Sequence, residues 1–280
     1  MAKQVTYFSL LHTAQEQLTV ARQDPSAAEY LLLEGRNWRY TQLVQHYRDV
    51  VPASVLDQFR HQLDRVLAGE PAQYVLGHAP FYGREFQVTA ATLIPRQETE
   101  ELVEWVLTDC PQEPLKLADI GTGSGAIALS LKLERPDWQV TATDISAAAV
   151  AVARQNAEAL NAAVRFEVGD LLAPLAGQRF DTIVSNPPYI DQAERPVMDE
   201  SVKRFEPDQA LYAADHGLAF YQRFAAALPA FLTPKGCFFA EIGYHQGPAV
   251  RELFTAALPA ARVTVRQDIN GQDRMVKVQL

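Results

Sequence analysis

From residue 98 onward the chain alternates between short apolar runs and segments with helical spacing, and this alternation limits the fold more than any other feature. A helical pattern over 98–108 leads into the run LKLADI, a glycine-rich turn and a helical stretch over 125–133. The order repeats through an apolar run at 139–143, an alanine-rich helix over 147–160, a strand at 164–168 and a β-branched run that ends at Ser185. A helix around 218–231, the run CFFAEIG and a helix over 248–258 complete the series. Strands that alternate with helices require right-handed crossovers, so the expected class is α/β with a parallel sheet covered on both faces. Two final β-rich stretches, 262–268 and 275–280, could pair antiparallel at its edge.

The first third of the chain reads differently. Phe8, Leu11 and Leu18 recur at helical spacing within 5–21, and Ser26 with Glu29 makes a capping-box pattern ahead of YLLLEG. Residues 40–47 and 54–68 repeat the helical pattern, the second with Ser54 as its expected cap and Gly69 as its stop. Segment 73–95 carries aromatic residues on both sides of Gly83, the mark of a hairpin. Three parts are therefore expected: a helical bundle over 1–72, a hairpin linker over 73–95 and a sheet domain over 96–280. The bundle has either a purely structural role or a partner to hold.

The 280 residues carry 25 Lys and Arg against 34 Asp and Glu, a net charge of −9. Affinity for nucleic acid rests largely on Lys and Arg displacing condensed counterions, so extended contact with a phosphate backbone is not expected. The first 75 residues hold seven basic and eight acidic side chains, so no basic half is hidden in the total. Cys110 and Cys237 lie far apart, without metal-ligand spacing or a disulfide framework, and no metal is expected. No apolar run nears the roughly 18 residues that would span a bilayer. The N-terminus lacks the apolar stretch of a signal peptide, so the cytoplasm is the expected compartment.

In an open α/β sheet, ligands sit beyond the carboxyl ends of the strands. The first strand of the series ends in ADIGTGSGAIALS, where Gly121, Gly123 and Gly125 permit a tight turn and the next helix presents free N–H groups. The spacing is GxGxG, not the GxGxxG of dinucleotide sites, and there is no P-loop pattern. Asp144 ends the next strand, where a carboxylate can accept from both ribose hydroxyls of a nucleoside or cap the helix that follows. Asp170 ends a third strand and could accept from an adenine amino group.

The run FDTIVS stops at Asn186-Pro187-Pro188-Tyr189. Two prolines remove consecutive backbone donors and fix φ, leaving carbonyl acceptors and the Asn186 side chain to meet a group with two N–H donors. DIGTGSGAIA with Asp144 resembles the binding site of class I S-adenosylmethionine methyltransferases, and NPPY resembles the motif of those that methylate a planar amino or amide nitrogen. With LIPRQETEELV at 93–103, SNPPYI at 185–190 and RFEP at 204–207, the chain resembles the peptide chain release factor glutamine N5-methyltransferases (HemK/PrmC family) along essentially its whole length.

That resemblance implies a Rossmann-like class I methyltransferase sheet with a small N-terminal helical domain joined by a β-hairpin. It also implies transfer of a methyl group from S-adenosyl-L-methionine to the side-chain nitrogen of the glutamine in the Gly-Gly-Gln motif of class I release factors, with S-adenosyl-L-homocysteine as product. Carried over, Gly121, Thr122, Gly123, Ser124 and Gly125 would hold the methionine part of the cofactor, Asp144 the ribose, and Asp170, Leu171 and Asn186 would complete its site. Leu171 stands where some relatives have an aromatic residue beside the adenine, and Gln97 departs from the usual PRPDTE or PRPETE pattern. Asn186, Pro187, Pro188 and Tyr189 would receive the substrate, with Asn186, Pro187 and Tyr189 at the reaction itself. Asn186 Oδ1 and the Pro187 carbonyl would accept from the two amide N–H groups, and the Tyr189 ring would pack on the flat amide and exclude water.

Arg204 and Glu206 could touch substrate or brace their loop. Arg96 and Glu98 could border the site or form interdomain salt bridges, and Glu241 has both a structural and a functional reading. The alternative substrate is an exocyclic amino group of a nucleic-acid base, which the same acceptor pair would fit once flipped out. The expected partner is a release factor, with no nucleic acid and no membrane, and the expected species is a monomer.

Overall fold

The computed structural model describes residues 4–280, and they divide into two compact units. One comprises the chain up to His78 together with 199–205; the other runs from Ala79 to Met198 and from Glu206 to Leu280. The first unit is helical: α1 (Tyr7–Val20), α2 (Ser26–Arg36), α3 (Tyr40–His46), α4 (Ala53–Leu67) and α5 (Ala72–Leu76). Their apolar stripes meet in one core around Leu11, Leu18, Leu31, Leu32, Leu43, Phe59 and Leu63. Two expected caps fall elsewhere. Ser26 is already the first residue of α2, and the Asp24 carboxylate accepts from its N–H at 2.8 Å. Helix α4 starts at Ala53 behind Pro52, whose fixed φ of −59° leads into the first turn without a side-chain cap. Gly69 does end α4, at a φ of +94°.

The second unit begins one residue into β1 (His78–Phe81), which with β2 (Arg84–Gln87) forms the expected hairpin, with Tyr82 and Gly83 both at positive φ as a two-residue turn requires. Then follow α6 (Gln97–Asp109), β3 (Lys116–Ile120), α7 (Ala126–Glu134), β4 (Gln139–Asp144), α8 (Ala147–Ala159), β5 (Arg165–Val168) and β6 (Phe180–Ser185). The short α9 (Glu200–Phe205) belongs to the helical unit, where the Arg204 guanidinium donates to the Ala68 carbonyl at 3.1 Å and closes the end of α4. The second unit resumes with α10 (Asp208–Leu211), α11 (Ala219–Phe231), β7 (Leu232–Glu241), α12 (Gly247–Ala257), β8 (Arg262–Gln267) and β9 (Asp273–Gln279).

The sheet order is β5-β4-β3-β6-β7-β9-β8. The five strands from β5 to β7 are parallel, and β9 and β8 add antiparallel at the edge, as their sequence suggested. Neighbouring residues point to opposite faces, so Leu117, Val184 and Phe239 pack with α6, α7 and α8, whereas Ala118, Ile183 and Phe238 pack with α11 and α12. Each fully buried Leu or Phe in these layers contributes roughly 1.5–3 kcal/mol. Strand order reverses at β3, between β4 and β6, which opens a crevice at the carboxyl ends of β3 and its neighbours. Among the described residues no helix is long and apolar enough to cross a membrane.

Candidate active site

That crevice holds a cavity of about 430 Å3 lined by the ends of β3, β4, β5 and β6 and by the start of α6. Its floor begins where β3 becomes the glycine turn. The Gly121 and Thr122 N–H groups both donate to the Thr143 carbonyl, at 2.8 and 2.9 Å, which bends the chain beneath the end of β4. Gly123, at a φ of +56°, turns its N–H to Asp144 Oδ2 at 2.9 Å, and a Cβ built there meets nothing within 4 Å. The turn therefore presents backbone to open space, where a ligand can lie against it. Gly125 has a different reason to be glycine. A Cβ there would stand 2.9 Å from Leu129 Cδ1 and 3.2 Å from Ala153 Cβ, so its bareness lets α7 pack on α8, and it does not line the cavity.

Asp119 braces the turn from below. Its Oδ2 accepts from the Thr122 hydroxyl at 2.6 Å and the Ala128 N–H at 3.2 Å, while its buried Oδ1 has no partner among the described residues. Burial, reinforced by the nearby Asp144 charge, pushes its pKa up to about 7. Asp144 is half-buried, and each of its oxygens already accepts one backbone N–H, from Gly123 and from Ser146. A carboxylate oxygen has a second lone pair, so both remain able to accept from a vicinal diol. Burial raises the pKa of Asp144 as well, against those backbone bonds. The helix-capping role falls to Ser146, whose hydroxyl accepts from Ala149 N–H at 3.1 Å.

Asp170 and Leu171 reach the same cavity. The Asp170 carboxylate is paired with Arg223 at 2.5 Å, so any amino group that reaches it shares it with a guanidinium. Leu171 takes a φ of +48° and gives its carbonyl to the Thr143 hydroxyl at 3.1 Å.

At the far side, Asn186, Pro187 and Pro188 line the cavity beyond β6. The Asn186 amide nitrogen donates to Thr99 Oγ1 at 3.1 Å, and neither Asn186 Oδ1 nor the Pro187 carbonyl accepts a hydrogen bond from the described residues. Two acceptors thus stand together without donors. Tyr189 departs from expectation: it is not among the lining residues, and its hydroxyl donates to Glu241 Oε1 at 3.0 Å. Its carbonyl accepts from Gln246 Nε2 at 2.9 Å, which ties down the end of the proline segment. Glu241, fully buried at the end of β7, also accepts from the Thr99 hydroxyl at 2.6 Å. Burial holds its pKa above the usual carboxylate range, with the Thr99 and Tyr189 hydroxyls and the Arg274 charge pulling the other way.

Of the residues left open by sequence, Arg96 lines the cavity and pairs with buried Glu206 at 2.5 Å inside the same unit, Glu98 is not among the lining residues, and Arg204 serves the helical unit. Thr99 escaped sequence reading because nothing in the spacing of PRQETE shows which strand end the first turn of α6 will meet. An acid within the apolar run CFFAEIG was the available signal for Glu241.

Residues 99–206 match the methyltransferase small domain family, and residues 9–77 match the PrmC N-terminal domain family. The chain is 44% identical over 275 residues to the release factor glutamine methyltransferase of Enterococcus faecalis, covering 98% of this chain and 99% of that protein. It is 42% identical over 278 residues to the release factor glutamine methyltransferase of Bacillus subtilis, covering 97% and 96%. Among solved structures it resembles the crystal structure of a methyltransferase from Pyrococcus furiosus, with a TM-score of 0.55 at 16% identity over 78% of this chain and 98% of the other, a likeness of fold. With such identity sustained from end to end, the chain belongs to the release factor glutamine methyltransferase family.

Proposed function

We propose that this protein transfers a methyl group from S-adenosylmethionine to the side-chain nitrogen of the glutamine in the Gly-Gly-Gln motif of class I release factors. The observation that carries the reading is the single cavity that joins the open glycine turn and Asp144 to the paired acceptors of Asn186 and Pro187. The near-full-length relatives bear the name of a glutamine methyltransferase, which favours that acceptor over a nucleic-acid base. The backbone of 121–124 and the Asp144 carboxylate suit the amino-acid and ribose parts of the cofactor, with Asp170 and Leu171 along its length. When bound, S-adenosylmethionine supplies an activated methyl group together with its own leaving group.

The protein's part is placement. An amide nitrogen is a weak nucleophile because its lone pair is delocalised into the carbonyl. Asn186 Oδ1 and the Pro187 carbonyl accept its two N–H donors, orient it and favour the positive charge that develops on it during attack; the methylated nitrogen, strongly acidic, then gives one of those protons to water, so no dedicated base is required. Pro188 keeps the segment stiff, and Tyr189 holds it from behind through Glu241. With a protein as substrate, one chain is the acting unit, and the cytoplasm, where translation terminates, is its compartment.

The test is mass spectrometry of a purified class I release factor incubated with this protein and S-adenosylmethionine. A single methyl group on the Gly-Gly-Gln glutamine is expected, and methylation elsewhere or none overturns the reading. In the same assay Asn186→Ala should lower turnover by about 10²–10³-fold while S-adenosylhomocysteine binds nearly as before. Asp144→Ala should do the reverse and mainly weaken that binding, measured by titration calorimetry.

A further inference from the structure

Behind Asn186 runs a buried chain of hydrogen bonds that the transfer itself does not consume. Asn186 Nδ2 donates to Thr99 Oγ1, the Thr99 hydroxyl donates to Glu241 Oε2, and the Tyr189 hydroxyl donates to Glu241 Oε1. The Tyr221 hydroxyl holds the Glu241 backbone carbonyl at 2.7 Å. Thr99 and Glu241 are 4% and 2% exposed. The chain thus links α6, the end of β6 and the end of β7, which are remote in sequence.

Its direction follows from the acid. In its ionised form Glu241 has acceptors only, so Thr99 then commits its one proton to Glu241 and offers Asn186 nothing but a lone pair, the directions the hydrogen bonds take. The atom of the Asn186 amide that faces Thr99 must then be the NH2 group, which leaves Oδ1 toward the cavity. Shape alone would not decide this, since the two ends of an amide are nearly alike in size. With the amide reversed, its NH2 would face the N–H donors of the acceptor group, donor against donor. Glu241 forms no salt bridge among the described residues; Arg274 is engaged with Asp268 at 3.1 Å and Arg96 with Glu206. A buried acid whose oxygens are held by two hydroxyls, with no direct ion pair among the described residues, is a costly feature for a fold to keep unless its polarity is used.

We propose that Thr99 and Glu241 are positioning residues that fix the orientation of the Asn186 amide and thereby select an acceptor bearing N–H donors. The proposal rests on the methyl-transfer reading for its activity readout and on geometry alone for its spectroscopic one. The variants are Thr99→Val, which keeps the shape without the hydroxyl, and Thr99→Ser, which keeps the hydroxyl. Thr99→Val is expected to lower kcat about tenfold or more, with KM for the release factor and S-adenosylhomocysteine binding within about twofold of wild type, and Thr99→Ser to restore most of the rate. Unchanged kcat in Thr99→Val, or equal loss in both variants, overturns it, because the loss would then not follow the hydroxyl. Should Thr99→Val fail to bind S-adenosylhomocysteine, Glu241→Gln, which keeps the volume, is read by the same criteria.

The second readout needs no turnover. In nitrogen-edited NMR spectra of the ligand-free protein, the side-chain NH2 of Asn186, identified by its loss in Asn186→Ala, should exchange slowly in wild type and Thr99→Ser and rapidly in Thr99→Val. Equal exchange in all three overturns the relay. If wild type leaves the release factor unmethylated, the functional reading fails while these spectra still decide the orientation.

Discussion

Asp119 shows how a single buried carboxylate can mark the pH behaviour of a whole chain. Its pKa stands at about 7 in the folded state against 3.8 for the ordinary group, so between these values the native protein holds a proton that the unfolded chain has released. The stabilisation this provides is complete below the ordinary carboxylate range and is lost as pH rises through about 7. Asp144 and Glu241 are displaced in the same direction, whereas Asp191 and Asp268 are displaced downward and act with the opposite sign. A comparison with Asp119→Asn isolates the first. The thermal midpoint of wild type should fall between pH 4 and pH 7 relative to that of Asp119→Asn, and a pH-linked loss of even about 1 kcal/mol moves the midpoint by roughly 2 °C in a chain of this size. Parallel curves for the two proteins would mean that Asp119 ionises in the native state as it does in water. The unpartnered Oδ1 is the local reason for the expectation, since nothing there compensates a negative charge.

At the scale of elements, the glycine turn separates two demands that look identical in sequence. Gly123→Ala adds a methyl group to open space at a φ of +56°, so folding should suffer by only about 1 kcal/mol, while S-adenosylhomocysteine, which the proposed function sets against this turn, should bind at least about tenfold more weakly. Gly125→Ala forces a Cβ against Ala153, a short side chain on α8 that cannot swing away, and should cost roughly 1–3 kcal/mol of stability in addition to its backbone strain. Thermal unfolding and titration calorimetry on both variants check the contrast; a stability loss in the first that matches the second would refute it. Glycine spacing was legible from sequence because tight turns are local, and so were the strands, whose period of two and β-branched residues are local too. The caps at Ser26 and Ser54 were misjudged because Asp24 and Pro52 competed for the same helix starts. Sheet order was out of reach, as was the meeting of Thr99 with Asn186 and Glu241, 87 and 142 positions away, because residue spacing carries no record of which strand ends become neighbours.

For the molecule as a whole, charge decides what the cavity can admit. The chain carries −9, and among the described residues the two cations that line the cavity are already neutralised, Arg96 by Glu206 and Arg223 by Asp170. A phosphate backbone approaching this site would release few counterions and would meet an acidic molecule around it. The acceptors at the centre, by contrast, are uncharged carbonyl oxygens, suited to a neutral amide whose affinity does not depend on salt. Excess RNA or duplex DNA should therefore leave the rate of glutamine methylation within about twofold of its value without competitor, at low salt and at physiological salt alike. Steady-state assays at two ionic strengths suffice to check this. Inhibition that is strong at low salt and fades steeply as salt is raised would reveal a basic track able to guide a nucleic acid to the cavity, and the rival acceptor, a flipped base, would then have a physical route to Asn186.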